Sequence, residues 1–188
     1  MRQNKSWIQH ACYEIIMLIE TGLQELNCKE AWYVRSAYAE SFMIHLRCLC
    51  HFFQDKSSSF PDDVFARKEL PEWSRFIDDP DTKRFDLSAL NRINKKVAHL
   101  TTAREAKDDK NFHDVRDSLE RIEPSLGECL CQIHRTHLSQ VSLHLNVETA
   151  NLKKLKSELN DDMQNPEIYY LAAVQSLAKL RSYLSRSP

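Results

Sequence analysis

Arg92 and His99 are the residues whose types and spacing most suggest chemistry. They stand seven positions apart in the stretch DLSALNRINKKVAHLTTAR, from Asp86 to Arg104. Histidine is the side chain that titrates near neutral pH, and arginine pairs with oxyanions in a planar fork. An α-helix turns about 100° per residue, so residues seven apart lie about 20° from one another, two turns along one face. In the same stretch Leu87, Leu90, Ile93, Val97 and Leu100 recur at helical spacing and form an apolar stripe. Asp86 or Ser88 can cap its start. Arg92 and His99 lie roughly 130° from the centre of that stripe, with Lys95 and Lys96 beside them. They therefore face solvent, a neighbouring helix or a partner chain, and a plain solvated face is the competing reading.

A second constellation sits further upstream. Ser36, Glu40, Arg47, His51 and Gln54 fall within about 60° on one helical wheel. The surrounding residues (Trp32, Val34, Ala37, Tyr38, Phe42, Met43, Leu46, Leu49, Phe52, Phe53) are apolar nearly all round. Such a helix is expected to be central and buried, and buried charges must then be paired. The stripe reads either as an internal ion-pair network that fixes helix register or as a face turned to a cleft or a dimer interface. His45, on the apolar side, reads as a hydrogen-bonded core histidine.

Two cysteine groupings raise the question of metal. Cys129, Cys131, His134 and His137 gather four ligand types within nine residues. On one helix Cys129 points nearly opposite Cys131, and the other three drift by about 60° per step. A single rigid helix cannot offer all four to one tetrahedral zinc ion. Cys48-x-Cys50 fails for the same reason. No metal site is expected, although a zinc-dependent module with ligands from another segment remains a third reading. A cysteine nucleophile needs a histidine nearby in space, and nothing in the sequence selects one thiol. No Gly-rich phosphate loop, GxSxG, HExxH or dinucleotide fingerprint occurs, so no cofactor is called for.

The elements that position these residues read as helices. The chain has 188 residues with only 2 Gly and 6 Pro, too few breakers for an all-β fold. It is expected to form one all-α domain, residues 1–188, an up-down bundle of about five to six helices. Hydrophobic residues make up 42% and charged residues 28%, and the formal net charge is −1. That balance argues against a generic basic nucleic-acid coat while leaving local RNA or nucleotide recognition open. No uncharged run reaches the ~20 residues of a membrane span. The apolar run from Tyr13 to Ile19 is interrupted by Glu14 and is no secretory signal. A cytoplasmic protein with reduced thiols, making no membrane contact, is the expectation.

In chain order, a first helix is expected over Ser6–Leu26, then a short break at Asn27–Lys29 that makes the second helix, Glu30–Gln54, antiparallel. Residues 55–85 read as an excursion of loops and short helices, with one short helix within Asp62–Glu69 and a turn after Pro71 holding Trp73 and Phe76. A later helix keeps Val115, Leu119, Ile122, Leu126, Leu130 and Ile133 in phase across Pro124 and Gly127. Residues 140–164 read as a connector with a short charged helix over Leu152–Leu159. Asn165–Pro166–Glu167 opens a last helix to Leu184.

Arg92-x6-His99 on a helix, in an all-α domain with an antiparallel first pair, resembles the R-x4-6-H motif of the HEPN superfamily (higher-eukaryote and prokaryote nucleotide-binding domains). The segments ESFMIHLRCLCHFF and INKKVAHLTTAR also look like those of a group of uncharacterised bacterial all-helical proteins. The resemblance spans roughly Ser6 to Leu130. Ile93 follows the arginine where the superfamily often carries Asn, Asp or His, and Asn94 stands one further on. The resemblance implies a dimeric, metal-independent RNase, or an RNA- or nucleotide-binding module, of a defence or toxin–antitoxin type system. Under it, His99 serves as general acid or base. Arg92 holds the scissile phosphate, and Lys95 and Lys96 raise the local potential. Glu40, Arg47 and His51 orient the site. The alternative is a non-enzymatic helical interaction protein in which these polar residues close into a structural network.

Overall fold

A computed structural model describes residues 6–54, 64–78, 115–139 and 166–186. These residues form six helices and no strand, so the chain has the expected all-α fold. They are α1 (Ser6–Asn27), α2 (Trp32–Gln54), α3 (Ala66–Glu69), α4 (Trp73–Asp78), α5 (Val115–His137) and α6 (Pro166–Ser185).

The order of contacts fixes the directions of the four long helices. Between α1 and α2, Trp7 meets Phe52, Glu14 meets His45, Gly22 lies against Phe42 and Glu25 pairs with Arg35. Numbers rise on one helix as they fall on the other, so the pair is antiparallel. The same holds for α1 with α5, from Trp7–His137 to Gly22–Leu119. It holds also for α5 with α6, from His134–Tyr170 to Arg116–Tyr183. Helices α1 and α6 therefore run the same way, and Glu20 receives Ser176 and Lys179 from α6.

The central helix is α1. It packs against α2, α5 and α6, and its buried residues (Trp7, Ile8, Ala11, Cys12, Ile15, Leu18, Ile19, Leu23) cover more than one face. Burial of this kind is the main stabilising term, about 25 cal/mol per Å² of apolar surface. Helix α2, expected at the centre from its apolar circumference, instead lies on the flank. Phe42, Met43, Leu46, Leu49, Cys50 and Phe53 enter the core, while Trp32, Tyr33 and Ile44 stay exposed at 79%, 63% and 51%. Aromatic and aliphatic side chains on several faces do not reveal which face has a neighbour.

Local chemistry explains the joints. Pro166 opens α6 at the first helical position, where its missing N–H breaks no bond. Pro124 lies inside α5 without ending it. At Gly22 a Cβ would stand 3.0 Å from the Phe42 ring and 3.1 Å from Leu119, so glycine allows α1, α2 and α5 to approach closely. The short helices after residue 64 are contacts rather than a free excursion. Trp73 is fully buried, stacks on Phe53 and donates its indole N–H to the Phe53 carbonyl at 2.8 Å. Arg67 clips α3 to α4 through both oxygens of Asp78, at 2.8 and 3.1 Å.

Candidate functional site

Arg92, His99, Lys95 and Lys96 lie outside the described residues, as do the connector over 140–164 and its short helix. The upstream stripe is described. Glu40, Arg47 and His51 are exposed, and Ser36 is half-buried. Of the two readings of this stripe, an internal network or an outward face, the exposure favours the outward face. These residues share a line with Tyr33, Ala37 and Ile44, which are also exposed. The six positions 33, 37, 40, 44, 47 and 51 step by four and three in alternation, so they form one seam along the helix. The core-facing side chains of the same helix occupy the opposite side, so the polar stripe is turned outward by the packing of Phe42, Leu46, Leu49 and Phe53.

A groove of about 380 Å³ opens between α1 and α2. Trp7, Ala11, Leu49, Phe52 and Val64 form its apolar walls, and His10, Glu14 and Cys48 supply polar groups. At its edge Glu14 Oε2 stands 2.7 Å from His45 Nδ1, with the edge of the His45 ring near Tyr13. The His45 side chain is only 12% exposed, which is the hydrogen-bonded histidine expected at this position. The Cys48 thiol also donates to Glu14. Burial, followed by the Glu14 charge, pushes the Cys48 thiol up from its ordinary pKa. A raised thiol is the reverse of an activated nucleophile. Cys48 also bonds the carboxylate and not the imidazole, so these three groups are not a nucleophile–base pair. The pair Glu14–His45 carried one signal in the sequence, the interruption of the first apolar run by a carboxylate.

Three of the other thiols belong to the core. All six cysteines are free. Cys12, Cys50 and Cys129 are buried in the core, and burial raises each thiol pKa. Cys129 faces Cys12, whereas Cys131 is half-buried on another side of α5. His134 stacks on Tyr170 of α6. His137 sets its edge to Trp7 and reaches the Glu69 carbonyl at 3.3 Å. The four are thus directed to separate neighbours, and among the described residues no three His, Cys, Asp or Glu side chains are grouped to hold a metal ion. No described helix is long and apolar enough to cross a membrane.

Comparison with known proteins finds no match. No family model, no curated protein and no solved structure is similar to this chain. The functional reading therefore rests on the residues alone.

Proposed function

We propose that this chain is a HEPN-like helical module that acts on RNA or a nucleotide through Arg92 and His99 and works as a homodimer in the cytoplasm. The observation that supports this is the exposure of Glu40, Arg47 and His51 along α2. A chain that used these charges only to lock its own interior would bury them. Turned outward, they form a polar face able to border a cleft between copies. In this reading the RNA 2′-hydroxyl attacks the adjacent phosphorus and the bond to the 5′-oxygen breaks. A 2′,3′-cyclic phosphate and a 5′-hydroxyl result. His99 moves the proton, Arg92 stabilises the charge on the phosphoryl oxygens, and Lys95 and Lys96 attract the backbone.

The test is cleavage of a broad RNA panel in EDTA by the wild type, His99→Ala and Arg92→Ala, with folding checked by circular dichroism. Cleavage by the wild type that is lost in both folded variants supports the reading. No cleavage and no RNA binding by the wild type overturns it. Exposed Trp32, Tyr33 and Ile44 favour a second reading, a non-enzymatic interaction protein. It predicts intact partner binding in both variants and no RNA chemistry in any.

A further inference from the structure

We infer that the groove between α1 and α2 is a binding site for a small organic cation, an amine carried on a short arm from a flat apolar ring. The groove follows from what each helix sets on its facing side. Trp7, Ala11 and Glu14 succeed one another along α1 at steps of four and three, and Cys48, Leu49 and Phe52 stand opposite on α2. Ala11 is the middle member on α1, and its single methyl leaves open the space that a larger side chain would fill. The opening of about 380 Å³ falls within the ~300–1,000 Å³ of small-molecule sites.

The two ends of the groove differ in chemistry, and that difference selects the ligand. At one end the rings of Trp7 and Phe52 stand with centroids 6.1 Å apart and planes inclined by 33°. The edge contact between Trp7 and His137 holds the indole in place, so this apolar wall is formed before a ligand arrives. At the other end, about 10 Å further along the helix, stands Glu14. Among the described lining residues it is the one carboxylate, and no Lys or Arg is there. His45 Nδ1, 2.7 Å from Glu14 Oε2, and the Cys48 thiol orient the group. The bond to His45 needs only a neutral imidazole protonated on Nδ1, which leaves the carboxylate charge in the groove. An ionised carboxylate accepts about four hydrogen bonds, so these two donors leave acceptor positions for an ammonium group. An amine gains a charge-assisted hydrogen bond there while its ring covers the aromatic wall. An alcohol of the same shape forgoes the charge, and an anion meets Glu14 with like sign.

This site uses neither Arg92 nor His99 and goes beyond the RNA chemistry proposed above, so the failure of one reading leaves the other standing. The experiment is a titration of the full chain at pH 7.5, followed by ligand NMR, with phenethylamine, phenethyl alcohol and phenylacetate. Variants are checked by circular dichroism. Phenethylamine is expected to saturate the site at about millimolar concentration or below. It should bind about tenfold or more tighter than the alcohol, the worth of a hydrogen bond to a charged group, with phenylacetate the weakest. Glu14→Gln should erase the preference for amine over alcohol. Cys48→Phe tests the site by filling it. Cys48 is exposed, so the larger ring enters the groove without disturbing the core, and binding of both probes should be lost. No saturable binding of phenethylamine overturns the inference. So does equal affinity for amine and alcohol in the wild type, or binding unchanged by Cys48→Phe.

Discussion

Alkaline pH should destabilise this fold through its buried thiols. Cys12, Cys50 and Cys129 lie in the core, where burial disfavours the thiolate and raises each pKa above the ordinary 9.0. The unfolded chain ionises these thiols near 9 and the folded chain does not. Above that pH the folded state therefore binds more protons, and stability falls as pH rises. Their contribution is fully present below pH 9. Between pH 9 and 10 each thiol lowers stability by about 1 kcal/mol, so the three together lower it by about 3 kcal/mol. For a chain of this length that is a fall in Tm of roughly 6–12 °C. Burial also pushes Tyr170 up to about 12, which extends the same trend above pH 10. The assay is thermal unfolding by circular dichroism in a phosphine reductant at pH 7.5, 9 and 10. The comparison is the Cys12→Ala/Cys129→Ala variant. Other alkaline titrations are common to both proteins, so the variant should lose two thirds of the thiol-dependent fall. An equal fall in both proteins would refute the reasoning.

Four further outcomes follow from the packing. Gly22→Val should cost about 1–3 kcal/mol by overpacking against Phe42 and Leu119, measured by urea unfolding. Gly127→Ala should be neutral or stabilising in the same assay. Its Cβ would press only on the far end of the flexible Arg181 side chain, which is paired with Glu123 at the surface, and would reach Glu123 Oε1 at an ordinary 3.9 Å. The helix-propensity gain of about 1 kcal/mol exceeds the value of such a pair. Trp73→Phe should cost about 1–3 kcal/mol because the Phe53 carbonyl loses its donor. Trp73→Ala should cost more, about 3–5 kcal/mol.

Much of the fold was legible because helical periodicity and end signals are local. Pro166 marked the start of the last helix. The apolar phase of Val115 to Ile133 survived Pro124, and one helix covers both. The role of α2 was not legible, because apolar residues lay on most of its sides and only tertiary packing chooses among them. The exposed charges followed from that choice. Trp73 was visible as a large apolar residue in a turn, but its partner is the carbonyl of Phe53, twenty residues earlier, and no pattern encodes that. The Glu14–His45 bond joins two helices and was likewise invisible as a pair. Arg92 and His99 stand as read from their spacing, since they lie outside the described residues.

The central position of α1 has a consequence for synthesis. Its buried face is closed partly by α6, through Cys12 beside Tyr170 and Glu20 under Ser176 and Lys179. Helix α1 is thus completed by one made more than a hundred residues later. At ~5–20 residues per second that interval is on the order of ten seconds. Cys12 lacks part of its cover throughout it. The nascent chain therefore presents a sticky amphipathic helix at the ribosome exit for that time, and a chaperone that holds such helices should raise its yield of folded protein.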